Sequence, residues 1–153
     1  MSDGSASISA SAPKPADATA AFCLLRLFLG LRALLAGLEK FEAGGTYSFA
    51  NYYANMARMA SGITGASFLP LWATKTFAMF LGYLLVLVGA ALLLGVKTRL
   101  TLIAMGLLYV GLGFGLMAVQ ENEGVVWIAA YVGLIAGALL LVRHNRFALW
   151  PDK

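Results

Sequence analysis

The sequence from residue 100 to residue 142 is LTLIAMGLLYVGLGFGLMAV, QENEG and VVWIAAYVGLIAGALLLV, two long uncharged runs joined by four polar residues and a glycine. A helix rises about 1.5 Å per residue, so runs of about 20 residues can cross a hydrocarbon core of about 30 Å. These runs lack the polar face that a helix shows on the surface of a soluble bundle. The short turn between them makes the two helices antiparallel neighbours. We therefore predict two membrane-spanning helices here.

Two further apolar runs extend the prediction to four spans. One covers about residues 72–94 and leads through a short basic turn into the span at 100–119. The other, at about 21–38, is the least hydrophobic because Arg26 and Arg32 interrupt it. The predicted fold class is all-α, an integral membrane four-helix bundle with spans at about 21–38, 72–94, 100–119 and 125–142.

The composition agrees with a protein that lies in lipid. Hydrophobic residues make up 61% of the 153 and charged residues 12%, against about 45–50% and about 25% in soluble domains. The excess of lysine and arginine orients the chain and attracts anionic headgroups, so we predict no nucleic-acid partner. One cysteine, Cys23, and one histidine, His144, exclude a disulfide, a bis-histidine haem and a cysteine-rich metal site within the chain. We expect no metal site, and no cofactor bound by this chain alone.

The segments outside the spans differ in composition. Residues 1–20 are rich in serine, alanine and proline, and are predicted to be a disordered tail rather than a secretory signal. Residues 21–150 form the predicted transmembrane domain, and residues 151–153 a short C-terminal end. In the long connection after the first span, aromatic residues and methionines recur at helical spacing from about 46 to 64. This spacing predicts an additional amphipathic helix at the membrane interface between spans 1 and 2, with a re-entrant position left open.

The basic residues set the predicted orientation. Lys97, Arg99, Arg143 and Arg146 lie on the side that holds both termini, whereas the turn at 120–124 has no basic residue. The positive-inside rule places both termini on the cytoplasmic side. The opposite orientation stays open.

Arg32 is the first candidate for a binding site. It lies about 16 Å into the first span, where a guanidinium needs a partner or water. Glu39 follows seven residues later on nearly the same helical face, and Lys40 comes next. One interpretation is an Arg32–Glu39 clamp that fixes the helix. The other is that Arg32, Glu39 and Lys40 hold an anionic or quinone-like ligand in the outer half of the bundle.

Other charged residues and the glycines have mainly structural interpretations. We interpret Arg26, nearer the cytoplasmic face, as an anchor that reaches headgroup phosphates. Glu121 and Glu123 in the outer acidic turn either relay protons or bind a cation, or simply solvate the turn. Eight glycines are predicted to pack helices closely, within the chain or against a partner, because small residues let backbones approach in lipid. They are Gly30, Gly37, Gly82, Gly89, Gly111, Gly115, Gly133 and Gly137.

Three segments carry a recognisable pattern. They are LLRLFLGLRALLAGLEKF at 24–41, with Arg26, Gly30, Gly37 and Lys40; LVGAALLLGVKTRLTLIAM at 87–105, with Gly89, Gly95, Thr98 and Arg99; and the ending RHNRFALW at 143–150. Together they resemble the DoxX family of small four-helix bacterial membrane proteins, over about residues 21–150. The chain departs from that family at Leu85, where many members have a glutamate. It also has His144-Asn145 in place of Gly-x-Gly, and Ala148-Leu149-Trp150 in place of Ser-Leu-Asp.

The resemblance suggests a function and a location. The DoxX family includes a membrane subunit of a thiosulfate:quinone oxidoreductase and proteins tied to thiol and oxidative-stress defence. It therefore implies a multi-pass subunit of a redox or electron-transfer complex in the bacterial inner membrane, with quinone as a candidate ligand. One alternative is a non-catalytic accessory or assembly subunit that docks a larger membrane complex, with a membrane-protein partner or a second copy. A small-solute or lipid carrier is a weaker alternative.

Overall fold

The computed structural model describes residues 15–150, which form a helical bundle. Its five α-helices, numbered in chain order, are α1 (Pro15–Leu38), α2 (Phe49–Ala66), α3 (Leu71–Leu94), α4 (Thr98–Ala118) and α5 (Asn122–Leu141). Short 3₁₀ helices follow α1 (Glu39–Phe41) and α5 (Val142–His144). A two-residue hairpin, β1 (Glu42–Ala43) and β2 (Thr46–Tyr47), precedes α2.

The predicted fold class is confirmed. Within the described residues, four helical segments are long and apolar enough to cross a membrane, and they run over Pro15–Phe41, Leu71–Leu94, Thr98–Ala118 and Asn122–His144. The chain is a multi-pass membrane protein whose apolar helices contact lipid. Each unsatisfied backbone polar group is costly in lipid, which is why long apolar runs form helices here.

The first helix begins earlier than the sequence predicted. Residues 15–20 of the predicted tail are the opening turns of α1, whereas residues 1–14 and 151–153 lie outside the described residues. Pro15 suits the first position of a helix because its missing N–H has no partner there in any case. Alanines after it favour helix, and Asp17 in the first turn complements the helix dipole.

The four long helices form a closed antiparallel ring in the order α1, α3, α4, α5. Gly30 of α1 faces Leu93 of α3, and Gly37 faces Val86, so these two helices run in opposite directions. Gly113 of α4 likewise faces Ile128 of α5, and the short turn between these two helices makes them antiparallel. We call the end where α1 and α4 begin the basal end, and the opposite end, which holds the turn at 119–121, the apical end.

The amphipathic helix α2 packs along α3 at the apical end. Ser48 caps it by accepting a hydrogen bond from the backbone N–H of Asn51 at 3.0 Å. It therefore starts at Phe49, and residues 46–47, predicted to be helical, form β2 instead. Near its start, the Tyr52 hydroxyl donates to the Met79 carbonyl oxygen at 2.6 Å. Near its end, the hydroxyls of Thr64 and Thr74 lie 2.7 Å apart, so α2 and α3 form an antiparallel helical hairpin.

One side of α2 is buried against the bundle. Tyr52, Met56 and Ala60, spaced four residues apart, form a small core with Ala78 of α3. Burial raises the pKa of Tyr52 above the usual value for tyrosine, because the charged form would lose its hydration. Its hydroxyl stays protonated at physiological pH and remains a donor.

Candidate functional site

An apolar cavity lies at the apical end because α1 is shorter there than its neighbours. An added Cβ on Gly37, near the end of α1, would contact the carbonyl oxygen of Gly82 at 3.0 Å. Gly82 is eleven residues into α3, so α1 stops about 16 Å below the first residue of that helix. The helix α2 covers the exposed part of α3 and leaves a cavity of about 440 Å³ between α2, α3, α4 and α5.

The cavity wall is almost entirely apolar. Its larger side chains include Met59, Phe77, Phe114, Leu116 and Ile128. Because Gly111 and Gly115 of α4 have no side chains, space remains between these larger groups. Phe114 is 52% exposed on the surface of the bundle, so the cavity borders the lipid-facing side. A molecule could therefore enter from the bilayer.

Lys40 supplies the charge at the cavity. It lies in the 3₁₀ helix after α1 and, within residues 15–150, is the one charged residue in the lining. Thr74 also lines the cavity, but its hydroxyl is shared with Thr64 and donates to the Leu71 carbonyl oxygen at 3.1 Å. Among the described lining residues, the Lys40 ammonium is thus the donor that a bound acceptor could use.

Arg32 lies in a different place. Its Nε donates to the hydroxyl of Tyr131 on α5 at 3.1 Å, and its guanidinium carbon lies 5.4 Å from the centre of that ring. The Tyr131 ring contacts Tyr109 of α4 with centroids 5.6 Å apart. Arg32 therefore joins α1 to α5 and does not line the cavity.

The predicted group of Arg32, Glu39 and Lys40 is thus not one site. Glu39 is exposed in the 3₁₀ helix and Lys40 borders the cavity, while Arg32 is two helical turns deeper in the membrane. The partner that holds Arg32 is Tyr131 rather than the Glu39 of the predicted clamp. Glu121 and Glu123 are exposed at the start of α5, where a negative charge complements the helix dipole.

Arg26 anchors the C-terminal segment at the basal end. It is only 7% exposed, and its Nη1 donates to Asn145 Oδ1 at 2.9 Å and to the Phe147 carbonyl oxygen. Asn145 in turn donates to the Thr98 hydroxyl at 2.7 Å. The segment then pairs with the turn before α4, because the Lys97 N–H donates to the Trp150 carbonyl oxygen at 2.9 Å. Arg26 was predicted to reach headgroup phosphates, whereas the hydrogen bonds of its Nη1 are to the C-terminal segment of the chain itself.

The eight glycines fall into two groups. An added Cβ would collide with neighbouring atoms at Gly30, Gly37, Gly82 and Gly89, and would contact the Phe77 ring at 3.3 Å from Gly111. At Gly115, Gly133 and Gly137 it would meet nothing within 4 Å. Gly115 lines the cavity, and Gly133 is exposed. The first group packs helices within this chain, whereas the glycines of α5 leave an open strip on its outer side.

No protein-family model, curated sequence or solved structure matched the chain. The DoxX resemblance thus stays a prediction from the sequence. In residues 15–150, no three or more His, Cys, Asp or Glu side chains come together in a way that could hold a metal ion. Cys23 is a free, partly buried thiol on α1.

The sequence reasoning missed an aromatic cluster beside the cavity. The Phe41 ring stacks on Tyr52 at 4.4 Å between centroids and meets Tyr83 edge-on at 5.5 Å. It holds the 3₁₀ helix of Lys40 against α2 and α3. The turn between β1 and β2, with Gly44 and Gly45 at φ of +59° and +80°, brings the chain back toward Phe41. The Gly-Gly pair is a hairpin signal that could have been read from the sequence.

Proposed function

We propose that the chain is a DoxX-like subunit of a redox complex in the bacterial inner membrane, and that its apical cavity holds a quinone. The observation that carries the proposal is the apolar cavity of about 440 Å³ with a single lysine at its edge. Ligand sites in proteins are commonly apolar clefts of about 300–1,000 Å³ with a few well-placed polar groups. A quinone has a flat ring, carbonyl acceptors and an apolar tail, which match this lining.

The residues of the chain would bind and orient the quinone rather than react with it. Lys40 would donate to a carbonyl oxygen, Phe77 and Phe114 would pack on the ring or tail, and Met59 with Ile63 of α2 would exclude water. When bound, a quinone carries electrons and protons between membrane enzymes. The electron donor would belong to a partner subunit. With both termini in the cytoplasm, the cavity would lie in the outer half of the bilayer.

Filling the cavity tests this proposal. We expect Gly115→Leu to reduce the quinone that co-purifies with the chain in mild detergent about tenfold or more, because the new side chain occupies the binding volume. An added Cβ at Gly115 meets nothing within 4 Å, so the variant should fold. Organic extraction followed by chromatography measures the quinone per chain. Lys40→Met should reduce it less, since it removes one donor and keeps the apolar wall.

Gly137→Leu is the matched control for this experiment. Gly137 is also a helical glycine with no atom within 4 Å of an added Cβ, but it lies outside the cavity. It should retain the wild-type quinone content. Wild-type protein without quinone, or equal losses in Gly115→Leu and Gly137→Leu, would contradict the cavity as the site.

The open strip on α5 favours a second candidate function, that of an accessory subunit docked to a larger membrane complex. Gly133 and Gly137 lie one helical turn apart, and an added Cβ at either would meet nothing within 4 Å. Small residues at this spacing let a second helix approach closely in lipid. Within residues 15–150, no other helix approaches these two glycines closely enough to lie within 4 Å of an added Cβ.

The same pair of variants tests the docking function, with Gly137→Leu now the test variant and Gly115→Leu the control. If α5 docks a partner, Gly137→Leu should shift the chain from a large complex to a smaller species on native gels of solubilised membranes. Gly115→Leu should keep the large complex, because its added side chain points into the cavity. A wild-type chain that migrates as a single protomer would rule out the accessory function.

A further inference from the structure

Arg32 carries a positive charge near the middle of the bundle of spanning helices. It is bound to Tyr131, the tenth of the twenty residues of α5, so about 14 Å of helix separates it from either end. Arginines near the ends of a span can extend to the headgroups, but this position is too deep for that. The charge therefore needs a partner within the hydrocarbon core.

The side chain that hydrogen-bonds Arg32 at this depth is neutral, and the nearest carboxylate on the same helix, Glu39, lies two turns away at the exposed end of the span. The Tyr131 hydroxyl accepts one hydrogen bond from Nε, and the ring offers its face. The stretches 18–38, 71–118 and 124–141 contain no aspartate or glutamate. A second copy of the chain has its acidic residues only near the ends of its spans, as at Asp17, Glu39 and Glu123, so it could not offer a carboxylate at this depth either. A carboxylate at the depth of Arg32 would therefore come from another protein.

The surface around Arg32 is open to such a partner. Phe28 and Leu35 lie one turn below and one turn above Arg32 on α1, and they are 50% and 55% exposed. On α5, Trp127 and Leu134 flank Tyr131 in the same way and are 59% and 37% exposed. These six residues, Phe28, Arg32, Leu35, Trp127, Tyr131 and Leu134, make up what we call the Arg32 face.

We propose that the Arg32 face docks a transmembrane helix of a different protein, one that carries an aspartate or glutamate at the middle of its span. The carboxylate pairs with the Arg32 guanidinium, whose Nη groups offer further donors beside the Nε bond to Tyr131. The apolar side chains on either side pack on the partner helix and exclude lipid from the ion pair. This inference goes beyond quinone binding, and it deepens the accessory function by stating the chemistry of the partner.

Model peptides test the proposal with the full chain in lipid vesicles. The probe is a polyleucine helix of about 20 residues with one aspartate at its centre. Two matched peptides carry asparagine at the centre, or aspartate near one end. Energy transfer from a donor dye on the chain to an acceptor dye on the peptide reports binding. We expect the central-aspartate peptide to bind about tenfold tighter than the asparagine peptide, because a charge-assisted hydrogen bond is stronger than a neutral one.

Variants of Arg32 decide the outcome. Arg32→Leu should remove the preference for aspartate, and Arg32→Lys, which keeps the charge, should retain it even if Arg32→Leu does not fold. Equal binding of the aspartate and asparagine peptides would overturn the proposal, as would equal binding of the central and terminal aspartates. Quinone content, measured on the same variants, should not change. A loss of quinone in Arg32→Leu with an unchanged peptide preference would mean that Arg32 serves a ligand instead.

Discussion

Replacing Gly89 by alanine should destabilise the bundle by about 1 to 3 kcal/mol, although alanine is the better helix former. An added Cβ at Gly89 would lie 2.5 Å from the backbone nitrogen of Leu34 and 2.9 Å from the carbonyl oxygen of Gly30. These are backbone atoms of α1, so no side-chain rotation can relieve the contact. The helices α1 and α3 would have to separate, and contacts along their whole seam would weaken. Unfolding in mixed micelles, followed by circular dichroism, measures the loss.

Gly133→Ala is the control, and it should have the opposite sign. Gly133 is exposed on α5 with nothing within 4 Å of an added Cβ. Alanine there should be neutral or stabilise the helix by up to about 1 kcal/mol. Equal stability changes for Gly89→Ala and Gly133→Ala would mean that the α1–α3 seam is less close than the structure shows.

The sequence predicted close-packing glycine faces on the first two spans, but not that these two faces meet each other. Gly30 and Gly37 are seven residues apart, as are Gly82 and Gly89, and this spacing puts each pair on one helix face. Gly133 and Gly137 have an equally regular spacing, but an added Cβ at either would meet no atom within 4 Å. Spacing identifies a smooth helix face, but it does not identify what covers that face.

The helices were predictable because lipid leaves the backbone few alternatives. In lipid, a chain must satisfy its polar groups internally, so four long apolar runs give four helices with ends close to the predicted ones. The first helix was the exception, since the alanines after Pro15 favour helix without being part of the apolar run.

The contacts of the candidate sites were less predictable because they join distant parts of the chain. Local spacing favoured Glu39 as the partner of Arg32, whereas Tyr131 is 99 residues away in the sequence. Arg26 likewise binds Asn145, 119 residues away. The cavity depends on the offset between α1 and α3, which no single segment encodes. Only Lys40 of the three predicted ligand-binding residues borders it.

Replacing Tyr52 by alanine should release α2 from the bundle while the four long helices stay folded. Tyr52 is fully buried, its ring stacks on Phe41, and its hydroxyl binds the Met79 carbonyl oxygen at 2.6 Å. Removing a buried aromatic ring costs about 3 to 5 kcal/mol, and α2 has only a small core of its own with α3. The loss should fall on α2 because it is an addition to the ring of long helices, outside their common core.

Proteolysis can measure this release directly. Arg58 is exposed on α2, and trypsin can cut there only when the helix opens locally. We expect Tyr52→Ala to increase the cleavage rate at least tenfold, with little change in the far-ultraviolet signal of the remaining helices. Quinone content should fall in parallel, because Met59 and Ile63 of α2 form one wall of the cavity.

Tyr53→Ala is the matched control for Tyr52→Ala. Tyr53 is on the same helix but is 51% exposed, and Tyr53→Ala removes a side chain of the same size. It should change the cleavage rate much less, because little buried area is lost. If both variants open α2 equally, then burial of Tyr52 is not what holds the helix. If Tyr52→Ala opens α2 but leaves the quinone content unchanged, the quinone lies elsewhere, since a cavity without its α2 wall could not retain it.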